Sequence, residues 1–166
     1  MERKEEIITT LGLESHPEGG YFKEIYRSQG AIPHSALGQH FSGARNHATS
    51  IYFLLETENF SAFHRIKQDE IWHFYEGAPV ELHWISPEGE HRKHIIGLDL
   101  KAGQRPQLIV PAECWFAARV LDGEYSFVGC GVAPGFDFDD FELARREDLT
   151  AIFPQHAELI KTFTRA

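Results

Sequence analysis

Nine short runs with a two-residue period fill the middle of this chain, at residues 21–28, 49–55, 60–66, 70–75, 80–85, 91–98, 107–110, 115–121 and 125–132. Side chains of a strand alternate between its two faces, so runs of this kind, rich in aromatic and β-branched residues, suit half-buried strands. Turn signals separate them: Glu76-Gly77, Ser86-Pro87-Glu88-Gly89 and Asp122-Gly123, the last a favoured two-residue hairpin pair. Many short strands at this spacing predict an all-β barrel or sandwich. Helical spacing is confined to the ends. Residues 5–11 place Ile7, Ile8 and Leu11 on one stripe with Gly12 as a stop. Weaker patches lie at 140–146 and 154–164, the second able to lay Leu159, Ile160 and Phe163 against a sheet.

At 166 residues the chain suits a single domain, 1–166, large enough to bury a core without disulfides. Its formal charge of −9 opposes attraction to a nucleic-acid backbone. The opening MERKEE lacks the apolar core of a signal peptide and no apolar run is long enough to span a bilayer, so a cytoplasmic protein without membrane or nucleic-acid partners is expected. Cys114 and Cys130 have no CxxC spacing and are expected as buried free thiols. The polar, turn-rich stretch 30–43 is the expected mobile loop near a pocket mouth. HPEGGYFKEIYRS, residues 16–28, carries paired glycines without the strand, glycine spacing and lysine of a phosphate loop, and reads as a tight turn entering a strand.

The stretch FHRIKQDEIWHFYEG, residues 63–77, resembles the first motif of the cupin superfamily, H-x-H followed by three or four residues, E, six residues and G. His64, Glu70 and Gly77 match, while Ile66 stands at the second histidine. The second motif, P-x-G-x-x-H, falls on residues 111–116, where Pro111 matches and Glu113 and Phe116 replace the glycine and the histidine. Two of the four usual metal ligands are therefore absent. HPEGGYF, YRS at 26–28, SIYFLL at 50–55, DEIWHFYEG at 69–77 and PGFDFDDFELA at 134–144 together resemble cupin family five, long catalogued as a domain of unknown function. The resemblance implies a double-stranded β-helix, or jelly roll, with short terminal helices. It also implies a homodimer, and structural similarity to sugar-nucleotide epimerases that work without metal.

At the positions singled out by that resemblance, His64 is the candidate general base and Glu70 the carboxylate that orients it, since a carboxylate steadies the imidazolium; a satisfied polar pair inside a barrel is the bland alternative. Tyr52, Trp72, Phe74 and Trp115 are candidate pocket walls, although aromatics at strand spacing also serve as core. Arg45 is the candidate for an anionic group of the ligand, with Arg27, Lys23 and Arg119 as further basic side chains. No cofactor is expected, because a metal centre needs at least three protein ligands. A divalent metal, if held, would use His64, Glu70 and a third residue from His47, His73 or His83. Alternation puts His73 on the face opposite Glu70, and His83 on the face of Glu81. Asp137, Asp139 and Asp140 read as a helix cap rather than a calcium loop. The leading expectation is a small-molecule pocket for a sugar-like or nucleotide-sugar ligand, with metal-independent isomerisation or epimerisation. The alternatives are a metal-dependent oxygenase or isomerase and a non-catalytic binding module.

Overall fold

The structure, a computed structural model, describes residues 1–166. Helix α1 (Arg3–Leu11) is followed by thirteen strands: β1 (Glu14–Ser15), β2 (Tyr21–Arg27), β3 (Ala31–Ile32), β4 (Arg45–Asn46), β5 (Thr49–Glu56), β6 (Phe60–Arg65), β7 (Asp69–Gly77), β8 (Val80–Ile85), β9 (His91–Ile96), β10 (Gln107–Val110), β11 (Trp115–Val120), β12 (Tyr125–Ala133) and β13 (Glu142–Leu143). Helices α2 (Arg146–Ile152) and α3 (Ala157–Thr162) close the chain. The strands form a six-stranded sheet ordered β1-β2-β5-β12-β7-β10 and a five-stranded sheet ordered β13-β6-β11-β8-β9, with β3 and β4 as a separate ribbon. From β5 to β12 the chain crosses from one sheet to the other at every step except the β8–β9 hairpin. That path is the double-stranded β-helix, a jelly roll.

Alternation decides what fills the barrel. Along β7, Glu70 and Trp72 turn inward while Ile71 is exposed, and along β8, Val80 and Leu82 turn inward while Glu81 and His83 face out. Phe53, Leu55, Val80, Leu82, Phe116 and Val128 belong to the cluster that packs the interior. The register pairs Val132 of β12 with both Thr49 of β5 and Glu70 of β7, so the start of β5, the start of β7 and the end of β12 meet at one end of the sheet. A cavity opens at that end. Both outer faces are partly roofed. Ile7 and Leu13 cover Leu54 and Phe127, while Leu149, Phe153, Ile160 and Phe163 cover Phe63, Ile85, Trp115 and Ala117. Each Leu, Ile or Phe among these contributes about 1.5–3 kcal/mol by leaving water.

All nine strands expected from the alternation are present, with ends differing by two residues at most. The patch at 140–146 is not a helix. Phe138–Asp140 is a 3-10 turn, Glu142 and Leu143 pair with Arg65 and His64 at the edge of β6, and α2 begins only at Arg146. Hydrogen bonds offered by an unpaired sheet edge outweigh a weak helical period. The 30–43 stretch forms part of the β3–β4 ribbon and a 3-10 turn at His34–Ala36, and none of it borders the cavity. The cavity mouth is built instead from β2 and the segment that follows β12.

Candidate active site

The cavity has a volume of about 320 Å³. Phe22, Ile51, Phe53, Ile66, Trp72 and Val132 form apolar walls; His16, Glu18, His64, Glu70 and Cys130 supply the buried polar end; Glu24, Arg27, Phe136, Asp137, Phe138 and Phe141 surround the opening.

Glu18 reaches this site through the HPEGG turn. Gly19 N–H donates to the His16 carbonyl at 3.0 Å and His16 N–H to the Gly20 carbonyl at 2.9 Å, closing a turn in which Gly19 has φ +114° and lies so close to the Phe60 carbonyl that a Cβ would collide with it. The Glu18 carbonyl accepts from Ala62 N–H and from Arg165 Nη1, both at 2.9 Å. Thus anchored, Glu18 Oε2 lies 2.9 Å from His64 Nε2. The other ring nitrogen, His64 Nδ1, is 2.7 Å from the Ala62 carbonyl, which can only accept, so Nδ1 carries a proton. Burial opposes charge on His64, but the Glu18 carboxylate, and then Glu70, outweigh it and raise the imidazole above its ordinary pKa. Burial likewise pushes Glu18 up and His64 overrides it, leaving the carboxyl below its ordinary value. The pair is therefore an imidazolium and a carboxylate, with both ring N–H groups spent.

Three groups remain, His16, Glu70 and Cys130, and of these His16 also lies against Glu18, with Nδ1 3.6 Å from Oε2. His16 Nδ1 accepts from Glu18 N–H at 3.2 Å, so a neutral ring carries its proton on Nε2, and burial, against the pull of Glu18, lowers its pKa. Glu70 makes no ion pair. Burial pushes its carboxyl to about 7, with His64 pulling it down and Glu18 pushing it up. The Cys130 thiol and the Trp72 indole, both nearby, favour its ionised form, yet Trp72 Nε1 is buried without a hydrogen-bond partner of its own. Burial also drives the Cys130 thiol well up.

The opening is held by polar ties. Arg27 donates from Nε and Nη2 to Glu24 at 3.2 and 2.6 Å, from Nη1 to Asn46 Oδ1 at 2.8 Å, and from Nη2 to the Phe136 carbonyl at 3.0 Å. Thr49 Oγ1 accepts from Phe136 N–H at 2.9 Å. Deeper in, Arg45 makes two 2.8 Å bonds to the buried Asp140 carboxylate, which also accepts from Gln68 Nε2 at 2.8 Å. Asp137 caps the 3-10 turn by accepting from Asp139 N–H at 2.9 Å.

Of the residues expected at the site, His64, Glu70 and Trp72 border the cavity. The carboxylate bonded to His64 is Glu18 and not Glu70, because the glycine turn brings it to the one open ring nitrogen. Tyr52 lies on the outer face against Phe127 and Tyr75; Phe74 packs into the filled part of the barrel; Trp115 sits under the C-terminal helices with the Arg65 guanidinium 4.5 Å from its ring. Arg45 is consumed by Asp140. Glu18 and His16 were missed by sequence reasoning. The available signal was an acid and a histidine placed directly before paired glycines.

No three His, Cys, Asp or Glu side chains are arranged to hold a metal ion. Where the cupin motifs carry their other ligands, Ile66 lines the cavity and the Phe116 ring lies 4.0 Å from that of His64. With both His64 nitrogens engaged, the residues present do not fit a metal centre. His47 and His73 do not border the cavity, and His83, under the C-terminal helices, bonds to His91 at 2.9 Å and lies 3.3 Å from Glu81.

A jelly-roll barrel with a pocket at one end and the remnant of a ligand motif on β6 and β7 defines a cupin. The chain belongs to the family described as Cupin superfamily (DUF985), whose model matches residues 5–144. It is similar to the uncharacterized protein YML079W of Saccharomyces cerevisiae, with 29% identity over 154 residues covering 87% of this chain and 76% of that one. Among solved structures it is similar to protein SO0799 of Shewanella oneidensis, with 42% identity, a TM-score of 0.87 and 99% of each chain covered. A hypothetical protein from Leishmania major is also similar, with 32% identity, a TM-score of 0.89 and 98% of each chain covered. Oxalate decarboxylase of Bacillus subtilis, at 13% identity and a TM-score of 0.56 over 90% of this chain and 36% of that one, shares the fold. No helix is long and apolar enough to cross a membrane.

Proposed function

We propose that this cupin is a metal-independent isomerase that moves a proton on a small carbonyl compound, with Glu70 as the group that carries the proton. The observation behind this reading is Glu70 itself, a buried carboxyl without an ion-pair partner that faces the cavity, where burial pushes its pKa up to about 7. A group poised near neutrality takes and returns a proton with least loss on either side. His64, the base suggested by the motif, has no lone pair to offer while Glu18 and Ala62 hold its two N–H groups.

The Glu70 carboxylate takes a proton from a carbon beside the substrate carbonyl, the C–H electron pair becomes the C=C bond of an enolate, and the carbonyl π pair moves to oxygen. His16 Nε2–H donates a hydrogen bond to that oxygen; a neutral imidazole serves this role without giving up its proton. Where the substrate carries a β,γ double bond the enolate is a dienolate, and the Glu70 acid returns the proton to its γ carbon, which moves the double bond into conjugation with the carbonyl. A lone carboxyl delivers it to the face from which it came, which favours shifting a double bond over inverting a stereocentre. In heavy water the native protein should exchange deuterium into a suitable ketone, and Glu70→Gln should lose about a hundredfold or more of that rate. Carbon-13 NMR of labelled glutamate supplies an independent check: a Glu70 carboxyl titrating near the ordinary 4.5 would remove the basis of the proposal.

A further inference from the structure

Four carboxyl groups and two cations line the cavity: Glu18, Glu24, Glu70 and Asp137 against Arg27 and His64. Neither cation is free. The His64 ring spends its N–H groups on Glu18 and Ala62, and all three Arg27 nitrogens donate to Glu24, Asn46 and the Phe136 carbonyl. Arg45 is locked on Asp140. An anionic group entering the cavity would meet Glu18 and Glu70 with no counter-ion to receive it, and burying an unpaired charge is costly. A cationic group would meet the Glu70 carboxylate but would lie as close to the His64 imidazolium, whose repulsion offsets that attraction. What remains is flat apolar surface from Phe22, Phe53, Phe136, Phe138, Phe141 and Trp72, with the N–H groups of His16 and of Trp72, whose Nε1 has no partner, as donors suited to a neutral oxygen.

We infer that the cavity selects an uncharged carbonyl compound built on a planar apolar ring and turns away phosphorylated and carboxylated ligands, nucleotide sugars among them. The requirement for a carbonyl rests on the proton-transfer reading, whereas the exclusion of anions rests on the pairing of the cations alone.

Four probes test the assignment on the full chain at pH 7.5: acetophenone, benzoate, benzylamine and UDP-glucose, followed by saturation-transfer NMR and calorimetric titration. Acetophenone should bind at least about tenfold more tightly than benzoate or benzylamine, and UDP-glucose should not bind measurably. Ile66→Phe, which narrows the cavity with an apolar ring, should abolish acetophenone binding and so locate it. Glu24→Gln, on the exposed side of the opening, releases Arg27 and should narrow the gap between benzoate and acetophenone. Benzoate, benzylamine or UDP-glucose binding as tightly as acetophenone would overturn the assignment, and so would failure of all four to bind. Acetophenone bound without deuterium exchange would uphold the ligand class and defeat the proton-transfer reading. Exchange into a carboxylated ketone, with acetophenone unbound, would do the reverse.

Discussion

Replacing Glu70 with glutamine should make the protein more stable in alkaline solution, an unusual result for a change at a buried polar residue. Burial holds the folded carboxyl at about 7 against an ordinary 4.5. A raised folded pKa means that stability is full below about 4.5 and is lost as pH rises through about 7, because the folded chain must then ionise a group in a site that disfavours the charge. The separation between the two values corresponds to roughly 3 kcal/mol above pH 7. Glutamine has nearly the shape of the protonated acid and no charge to bury, so Glu70→Gln escapes that loss. For a chain of this length about 1 kcal/mol moves the melting temperature by about 2–4 °C, so the variant should melt about 6–12 °C above the native protein at pH 8 and within about 2 °C of it at pH 4.5. Circular-dichroism melts from pH 4.5 to 8.5 read this directly. A variant that melts at or below the native temperature at pH 8 would refute both the raised pKa and the role assigned to Glu70. The expected gain, set beside the loss of exchange, would mark Glu70 as a residue whose cost to stability is offset only by its chemistry.

Glu18→Ala strands the buried His64 ring and should cost about 3–5 kcal/mol in urea unfolding, whereas Glu18→Gln, whose amide can donate to a neutral Nε2, should cost much less; equal losses would contradict the ion pair. Truncation after Phe153 removes Ile160 and Phe163 from above Phe63 and Trp115, and should lower stability by at least about 4 kcal/mol, with an unchanged melt arguing against the roofing role. Chelation with EDTA should leave the melting temperature unchanged, and elemental analysis should find well under one divalent metal per chain; about one tightly held ion per chain would overturn the metal-independent reading.

The barrel was legible because alternation is a local property: each of β5, β6, β7, β8, β11 and β12 advertises its two faces within a few residues. The site was legible only where it repeats along one strand. Glu70 and Trp72, two apart on β7, necessarily share the inward face, and His64 was found through a spacing shared with other cupins. Glu18 could not be found that way. Its carboxylate meets His64 through a turn whose geometry depends on the positive φ of Gly19 and on a backbone bond to β6, and nothing within HPEGG states which distant strand it will touch. Trp115 failed for a related reason. Strand spacing shows that it and Phe116 face opposite ways but not which way is inward, and the C-terminal helices, by covering one face with Leu149 and Phe163, decide it. Arg45 was misjudged because a free guanidinium and one bound to a buried Asp140 look alike in sequence.

The Glu18–His64 pair acquires a purpose once Glu70 is the working group. Both partners act on it: the His64 cation pulls its pKa down, and this outweighs the upward push of the Glu18 anion. Without the pair the carboxyl would lie above about 7, protonated at neutrality and unable to begin the reaction as a base. Glu18→Gln tests this coupling, since it removes the anion and, by withdrawing the partner that keeps His64 charged, removes the cation as well. The larger influence is the one that lowers Glu70, so its pKa should rise in this variant, and the basic form of the site should emerge at higher pH. Both the carbon-13 titration of Glu70 and the pH profile of deuterium exchange should move upward together, while exchange well above the new pKa should approach the native rate. If Glu70 instead titrates lower in Glu18→Gln, the buried pair is not what holds this carboxyl near neutrality, and the electrostatic role of His64 falls with it.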